Sequence, residues 1–108
     1  MIWRIKLTEI AAEFIQNLDK KSQQHIIDKI ETLKEDPLKV GKQLKGNLKE
    51  YRSMRSTGQR YRIIYTVKES EILILVVAIG ILKDGDKKDI YELMKKYVKI
   101  GIFKEEEL

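Results

Sequence analysis

Apolar and polar residues alternate from the start of the chain. Trp3, Ile5 and Leu7 fall on one side and Arg4 and Lys6 on the other, the period of a half-buried strand. At Thr8 the period changes. Ile10, Ala11, Phe14, Ile15 and Leu18 recur at helical spacing, Thr8 suits the N-cap, and Glu9 favours the first turn. Asp19 to Ser22 is a short break. The spacing then predicts a second helix from about Ser22 to Glu35, with Ile26, Ile27, Ile30 and Leu33 towards the core and Asp36-Pro37 as its stop. Two antiparallel helices in a hairpin are implied.

Residues 37–48 read as a basic loop containing Gly41 and Gly46. Three strands follow, at about 49–56, 60–68 and 71–79. Thr57-Gly58-Gln59 turns the first pair and Lys68 to Glu71 the second. The run Ile72 to Ile79 is apolar throughout, the mark of a central strand covered on both faces, and Gly80 ends it. A largely polar loop occupies 81–87. Ile90, Tyr91, Leu93, Met94, Tyr97 and Val98 then give a short amphipathic helix over 88–98. The order β-α-α-β-β-β-α predicts an α+β domain, with helices packed on one face of an antiparallel sheet. Residues 1–98 form the single domain and 99–108 a C-terminal tail.

Composition narrows the chemistry. A chain of 108 residues makes one domain and buries roughly 60–65% of its unfolded surface, enough for a core without staples. There is no cysteine and one histidine, His25, so disulfides, thiolate metal sites and multi-histidine metal sites are excluded. No metal or cofactor is expected, and His25, beside the apolar stripe of its helix, reads as a surface residue. The start lacks the apolar core of a signal peptide, and no run reaches the ~18 apolar residues of a membrane span. A soluble, cytoplasmic protein without membrane contact is expected.

Charge is unevenly placed. Thr8 to Asp36 holds seven acids and four lysines, and an acidic run closes the tail at Glu105 to Glu107. Between Lys49 and Arg62 stand Lys49, Arg52, Arg55, Arg60 and Arg62 against Glu50 alone, a net of +4 of the chain's +5. Fixed cations on a rigid sheet make a surface for phosphates, and RNA is the expected source of them. Alternation puts Ser53 and Arg55 on one face of their strand and Arg60, Arg62 and Ile64 on one face of the next. Tyr61, Ile63, Tyr65 and Val67 point towards the helices. Arg52 has the other parity and is expected to pair with an acid such as Glu13 or Glu50.

The layout and its motifs resemble the RelE/ParE toxin superfamily of type II toxin–antitoxin modules. The motifs are Asp36-Pro37, Leu44-Lys45-Gly46-Asn47-Leu48, Tyr51 through Arg55, Arg60 through Tyr65, and Ile79-Gly80 followed by Asp89-Ile90-Tyr91. The resemblance covers the chain from Trp3 to about Tyr97 and rests on the order and spacing of these pieces together. It implies a toxin that binds the ribosome and cuts mRNA without a metal, through attack of a 2′-hydroxyl on the adjacent phosphate. It also implies a cognate antitoxin in a hetero-oligomeric complex. Two alternatives stay open: a ParE-like toxin that inhibits gyrase without catalysis, and a non-toxic RNA-binding or scaffold domain.

Carried over residue by residue, the resemblance makes Arg55 and Arg62 contacts of the scissile phosphate and Arg60 a neighbouring backbone contact. It makes Tyr91 the tyrosine that stacks on a base or orients the phosphate, against the plainer reading of a core tyrosine. Lys83, with Lys87 and Lys88, lies on the mobile side of the site. A lysine there with a lowered pKa suits proton transfer, while a solvated loop accounts equally for Lys87 and Lys88. The chain departs from the family pattern twice: Ser53 and Leu82 stand where RelE-like enzymes carry basic residues.

Overall fold

The computed structural model describes residues 2–56, 60–83 and 85–103. The turn expected at Thr57 to Gln59 and the acidic run Glu105 to Glu107 lie outside them. Among the described residues five strands form one sheet: β1 (Arg4–Leu7), β2 (Lys42–Gln43), β3 (Arg52–Arg55), β4 (Tyr61–Lys68) and β5 (Leu73–Ile81), in the spatial order β1-β5-β4-β3-β2. The helices are α1 (Glu9–Gln16), α2 (Lys20–Glu31), α3 (Pro37–Val40) and α4 (Ile90–Ile100).

The α+β class is as predicted, and the sheet differs from the prediction in direction. It is mixed: β2 to β5 pair antiparallel, while β1 lies parallel to β5, Ile5 facing Ile74. Alternation reads the same in either direction, so the first strand's polarity carries no sequence signal. The strand β2 falls in what read as loop, because two residues are too few to show a period. Pro37 stops α2's continuation as expected and also opens α3, sitting in its first turn where a missing N–H costs nothing. α2 ends at Glu31 and tightens into a 3₁₀ turn over Thr32–Lys34, with Ile27 43% exposed rather than in the core.

Helices cover both faces of the sheet, not one. Ala11, Ile15, Ile26, Ile30 and Leu33 pack with Ile63, Tyr65, Ile74, Val76 and Ile79 on the first face. Ile90, Met94 and Phe103 pack with Leu48, Tyr51, Ile64, Leu75, Val77 and Ala78 on the second. The chain therefore contributes to the core as far as Phe103, five residues into the stretch read as tail.

A bulge lets β5 serve both layers. Ile64 faces Ala78 but Tyr65 faces Val76, which leaves Val77 as the extra residue. Before it the even positions Ile74 and Val76 meet the helical hairpin; after it the odd position Ile79 does. Thr8 ties the bulge down. Its hydroxyl donates to the Val77 carbonyl at 2.6 Å and accepts from the Ala11 N–H at 3.1 Å, so one side chain caps α1 and satisfies the bulge.

Candidate nucleic-acid interface

Register brings two of the predicted cations, Arg55 and Arg62, together on the α4 side of the sheet. Arg55 on β3 stands directly opposite Arg62 on β4, and Arg62 stands opposite Gly80 on β5. Two residues along, Lys42, Ser53, Ile64 and Ala78 form a second row across the sheet. Residues directly opposite share a face. From these rows Lys42, Ser53, Arg55 and Arg62 line a groove of about 430 Å³, together with Leu44, Leu82, Tyr91, Lys29, Val40 and Met54.

The two arginines differ in setting. Arg55 is exposed, while Arg62 is 7% exposed. A guanidinium keeps its charge when buried, and burial holds it in place. Two guanidiniums directly opposite repel, and an anion shared between them turns that repulsion into a clamp.

Tyr91 closes the groove from α4. Its hydroxyl and that of Ser53 are 2.8 Å apart, a hydrogen bond that pins the helix to the sheet beside the arginines. The start of α4 is built by Asp89, which is 5% exposed. One carboxylate oxygen accepts from the Tyr91 N–H at 3.0 Å and the other from the Lys83 N–H at 2.6 Å. Asp89 thus caps the helix and staples the loop that enters it. Gly80 lets the helix come close: a Cβ there would lie 2.7 Å from Ile90 Cδ1.

The other predicted residues are placed elsewhere. Leu82 lines the groove, so the position where a cation was missed does face the arginines. Lys83 does not join them. It lines a separate apolar groove between α1 and α4 together with Lys88, because the Lys83–Asp89 bond holds the backbone on that side. Lys87 lies on a third surface with Glu92 and Lys96. Arg60 sits over the Tyr61 ring, 5.9 Å from its centre, away from the groove. Arg52 donates to the Gly41 carbonyl rather than to Glu13 or Glu50.

Sequence reasoning missed the contribution of β2. Lys42 enters the groove because β2 is clamped at both ends. The Gly41 N–H donates to the Tyr65 hydroxyl at 3.0 Å, that hydroxyl donates to the Pro37 carbonyl at 2.7 Å, and the Leu44 N–H donates to the Tyr51 carbonyl at 3.0 Å. Burial pushes the Tyr65 phenol above its ordinary pKa, against the opposing pull of Arg52. Among the described residues no group of three His, Cys, Asp or Glu side chains converges as metal ligands would. No described helix is long and apolar enough to cross a membrane.

Comparison with known proteins agrees with the fold. The family of phage-derived Gp49-like proteins (DUF891) matches residues 13–95. An Escherichia coli protein described as a RelE-like toxin is 28% identical over 93 residues, covering 86% of this chain and 94% of that protein. The toxin of the RelBE2 toxin–antitoxin complex of Mycobacterium tuberculosis superposes with a TM-score of 0.68 at 20% identity, over 75% of this chain and 99% of that one. A YoeB/ParE toxin from Agrobacterium tumefaciens superposes at 0.61 with 27% identity, over 72% of this chain and 96% of that one. The resemblance read from the sequence is borne out.

Proposed function

This chain belongs to the phage-derived Gp49-like protein family, and on that premise we propose that it is a RelE-like toxin, a ribosome-dependent mRNA endonuclease neutralised by a cognate antitoxin. One observation carries the reading: Arg55 and Arg62 face each other across adjacent strands in a groove closed by Tyr91. Supporting it, the M. tuberculosis relative is a toxin in complex with its antitoxin.

In the proposed reaction the 2′-hydroxyl of one nucleotide gives its proton to solvent water as its oxygen attacks the adjacent phosphorus. The bond from phosphorus to the 5′-oxygen breaks, and that oxygen takes a proton from water, leaving a 2′,3′-cyclic phosphate on the other product. Charge builds on the non-bridging oxygens of the phosphorane. Arg55 and Arg62 hold that charge from two strands, and Arg62, held by burial, is oriented before substrate arrives, which is where preorganised donors act most strongly. Their protons stay on, so they stabilise charge rather than transfer protons. Tyr91, its hydroxyl bonded to Ser53, is the candidate to stack on a neighbouring base or orient the phosphate.

The test is induction of the toxin in growing cells, with mapping of mRNA ends. Growth arrest with cuts at ribosome-positioned sites is expected. Arg55→Ala and Arg62→Ala should each lower cleavage by ~10²–10³-fold, the usual loss for one such donor, with circular dichroism unchanged. Full toxicity in the folded double variant overturns the endonuclease reading. Trapped gyrase–DNA complexes with intact mRNA select the ParE-like alternative, and absence of arrest selects a non-toxic RNA-binding or scaffold domain.

A further inference from the structure

We infer that Lys42 is a phosphate-binding residue of this site and supplies the cation that Ser53 lacks. The inference rests on the reading of the groove as an RNA site and adds a third strand to it. Lys42 is the direct cross-strand neighbour of Ser53. Directly opposite residues have Cβ atoms about 4.5–5.5 Å apart on the same face. Lys42 also stands diagonal to Arg55, which lies two residues beyond Ser53 on β3. The ammonium therefore serves the same stretch of groove as a basic residue at position 53 would, and Lys42 and Ser53 both line it.

Ser53 is committed elsewhere. It is 7% exposed and its hydroxyl is bonded to Tyr91. A cationic side chain there would forfeit that bond. The arrangement divides two tasks between two strands: Ser53 positions α4, and Lys42 carries the charge.

The placement of Lys42 is built. A two-residue strand cannot hold itself, and β2 is fixed on one side through Gly41 to Tyr65 and on the other through Leu44 to Tyr51. Gly41 admits no side chain, since a Cβ there would meet the Tyr65 hydroxyl and, at 3.0 Å, the Ser53 carbonyl. The plainer role for an edge-strand lysine is to block pairing with another sheet. That role needs a charge at the edge but no contact with RNA, so salt dependence separates the two.

The experiment measures binding of a 2′-O-methyl RNA 12-mer, which cannot be cleaved, by fluorescence anisotropy across a salt series. Each phosphate contact to a single strand contributes ~0.7 to the slope of log K against log salt. Lys42→Gln should flatten the slope by that amount, as should Arg62→Gln. Lys42→Arg should keep it. Lys21→Gln, on α2 across the sheet, should leave it unchanged and so exclude an effect of net charge alone. A wild-type slope in a folded Lys42→Gln variant, with Arg62→Gln flattened, overturns the role of Lys42 and leaves the site standing. A slope that neither Lys42→Gln nor Arg62→Gln changes overturns the inference and the RNA site together.

Discussion

Gly80→Ala should damage the site through a backbone contact rather than through any charged group. Gly80 faces Arg62 on one strand edge and lies under the first residue of α4. An added Cβ would lie 2.7 Å from Ile90 Cδ1, 3.0 Å from its Cβ and 3.1 Å from its Cγ1. Carbon atoms settle at about 3.5–4.0 Å. The Cδ1 methyl can swing away, but Cβ is fixed to the helix, so the start of α4 must retreat by roughly 0.5 Å to restore that spacing. Tyr91 is the next residue, and its 2.8 Å bond to Ser53 would stretch out of the favourable range for two hydroxyls. Overpacking of this kind costs about 1–3 kcal/mol, and the weakened hydrogen bond adds about 1 kcal/mol. A misplacement of 1 Å can cost ~10²-fold in rate, so half of that predicts on the order of a 10-fold loss of mRNA cleavage. Urea unfolding and ribosome-dependent cleavage measure the two effects on one preparation. Ile90→Val in the Gly80→Ala background removes the nearest methyl and should recover part of both. Unfolding within about 0.3 kcal/mol of wild type, below the usual scale of overpacking, together with full cleavage, would refute the idea that this close approach seats the helix.

Tyr65→Phe removes a hydroxyl that serves two backbone groups, the Gly41 N–H and the Pro37 carbonyl, and should lower stability by about 2–4 kcal/mol in urea melts; a change under about 0.5 kcal/mol would mean that neither bond matters. Because burial raises the Tyr65 pKa above its ordinary 10.0, the wild type should hold its full stability below pH 10 and lose it as pH rises through the folded-state pKa. The Tyr65→Phe variant lacks that loss, so the two curves should converge at high pH, and parallel curves would contradict the raised pKa. Leu82→Arg places a third guanidinium on the wall shared by Arg55 and Arg62 and should raise cleavage by about 10-fold; a silent Leu82→Arg would show that the end of β5 does not face the phosphorane.

Much of the fold was visible in local pattern. Thr8 caps α1 as its position suggested, and the apolar run through Ile79 is an interior strand. Alternation put Arg55 with Ser53 on one face of its strand and Arg62 with Ile64 on one face of the next, the resemblance joined the two, and the register makes Arg55 and Arg62 direct neighbours. What escaped lacks a letter in the sequence. The partner of Arg52 is a backbone carbonyl, and any residue can offer one. Lys42 lies on a strand too short to alternate. Leu82 and Lys83 are adjacent, and which of them faces the arginines is decided by a backbone bond to Asp89. The far-side position of α4 follows from the route of the loop before it, whereas its amphipathic pattern fits either face.

The bulge at Val77 makes β5 a strand that reads length more strictly than composition. From Leu73 to Ile79 every residue is apolar, so most exchanges among Leu, Ile and Val leave both layers supplied with hydrocarbon. Losing or gaining one residue there also leaves hydrocarbon on both faces. It would nevertheless move Gly80 out of line with Arg62 and bring an isoleucine under the start of α4. In a library of variants, this segment should accept substitutions freely and reject single-codon insertions and deletions.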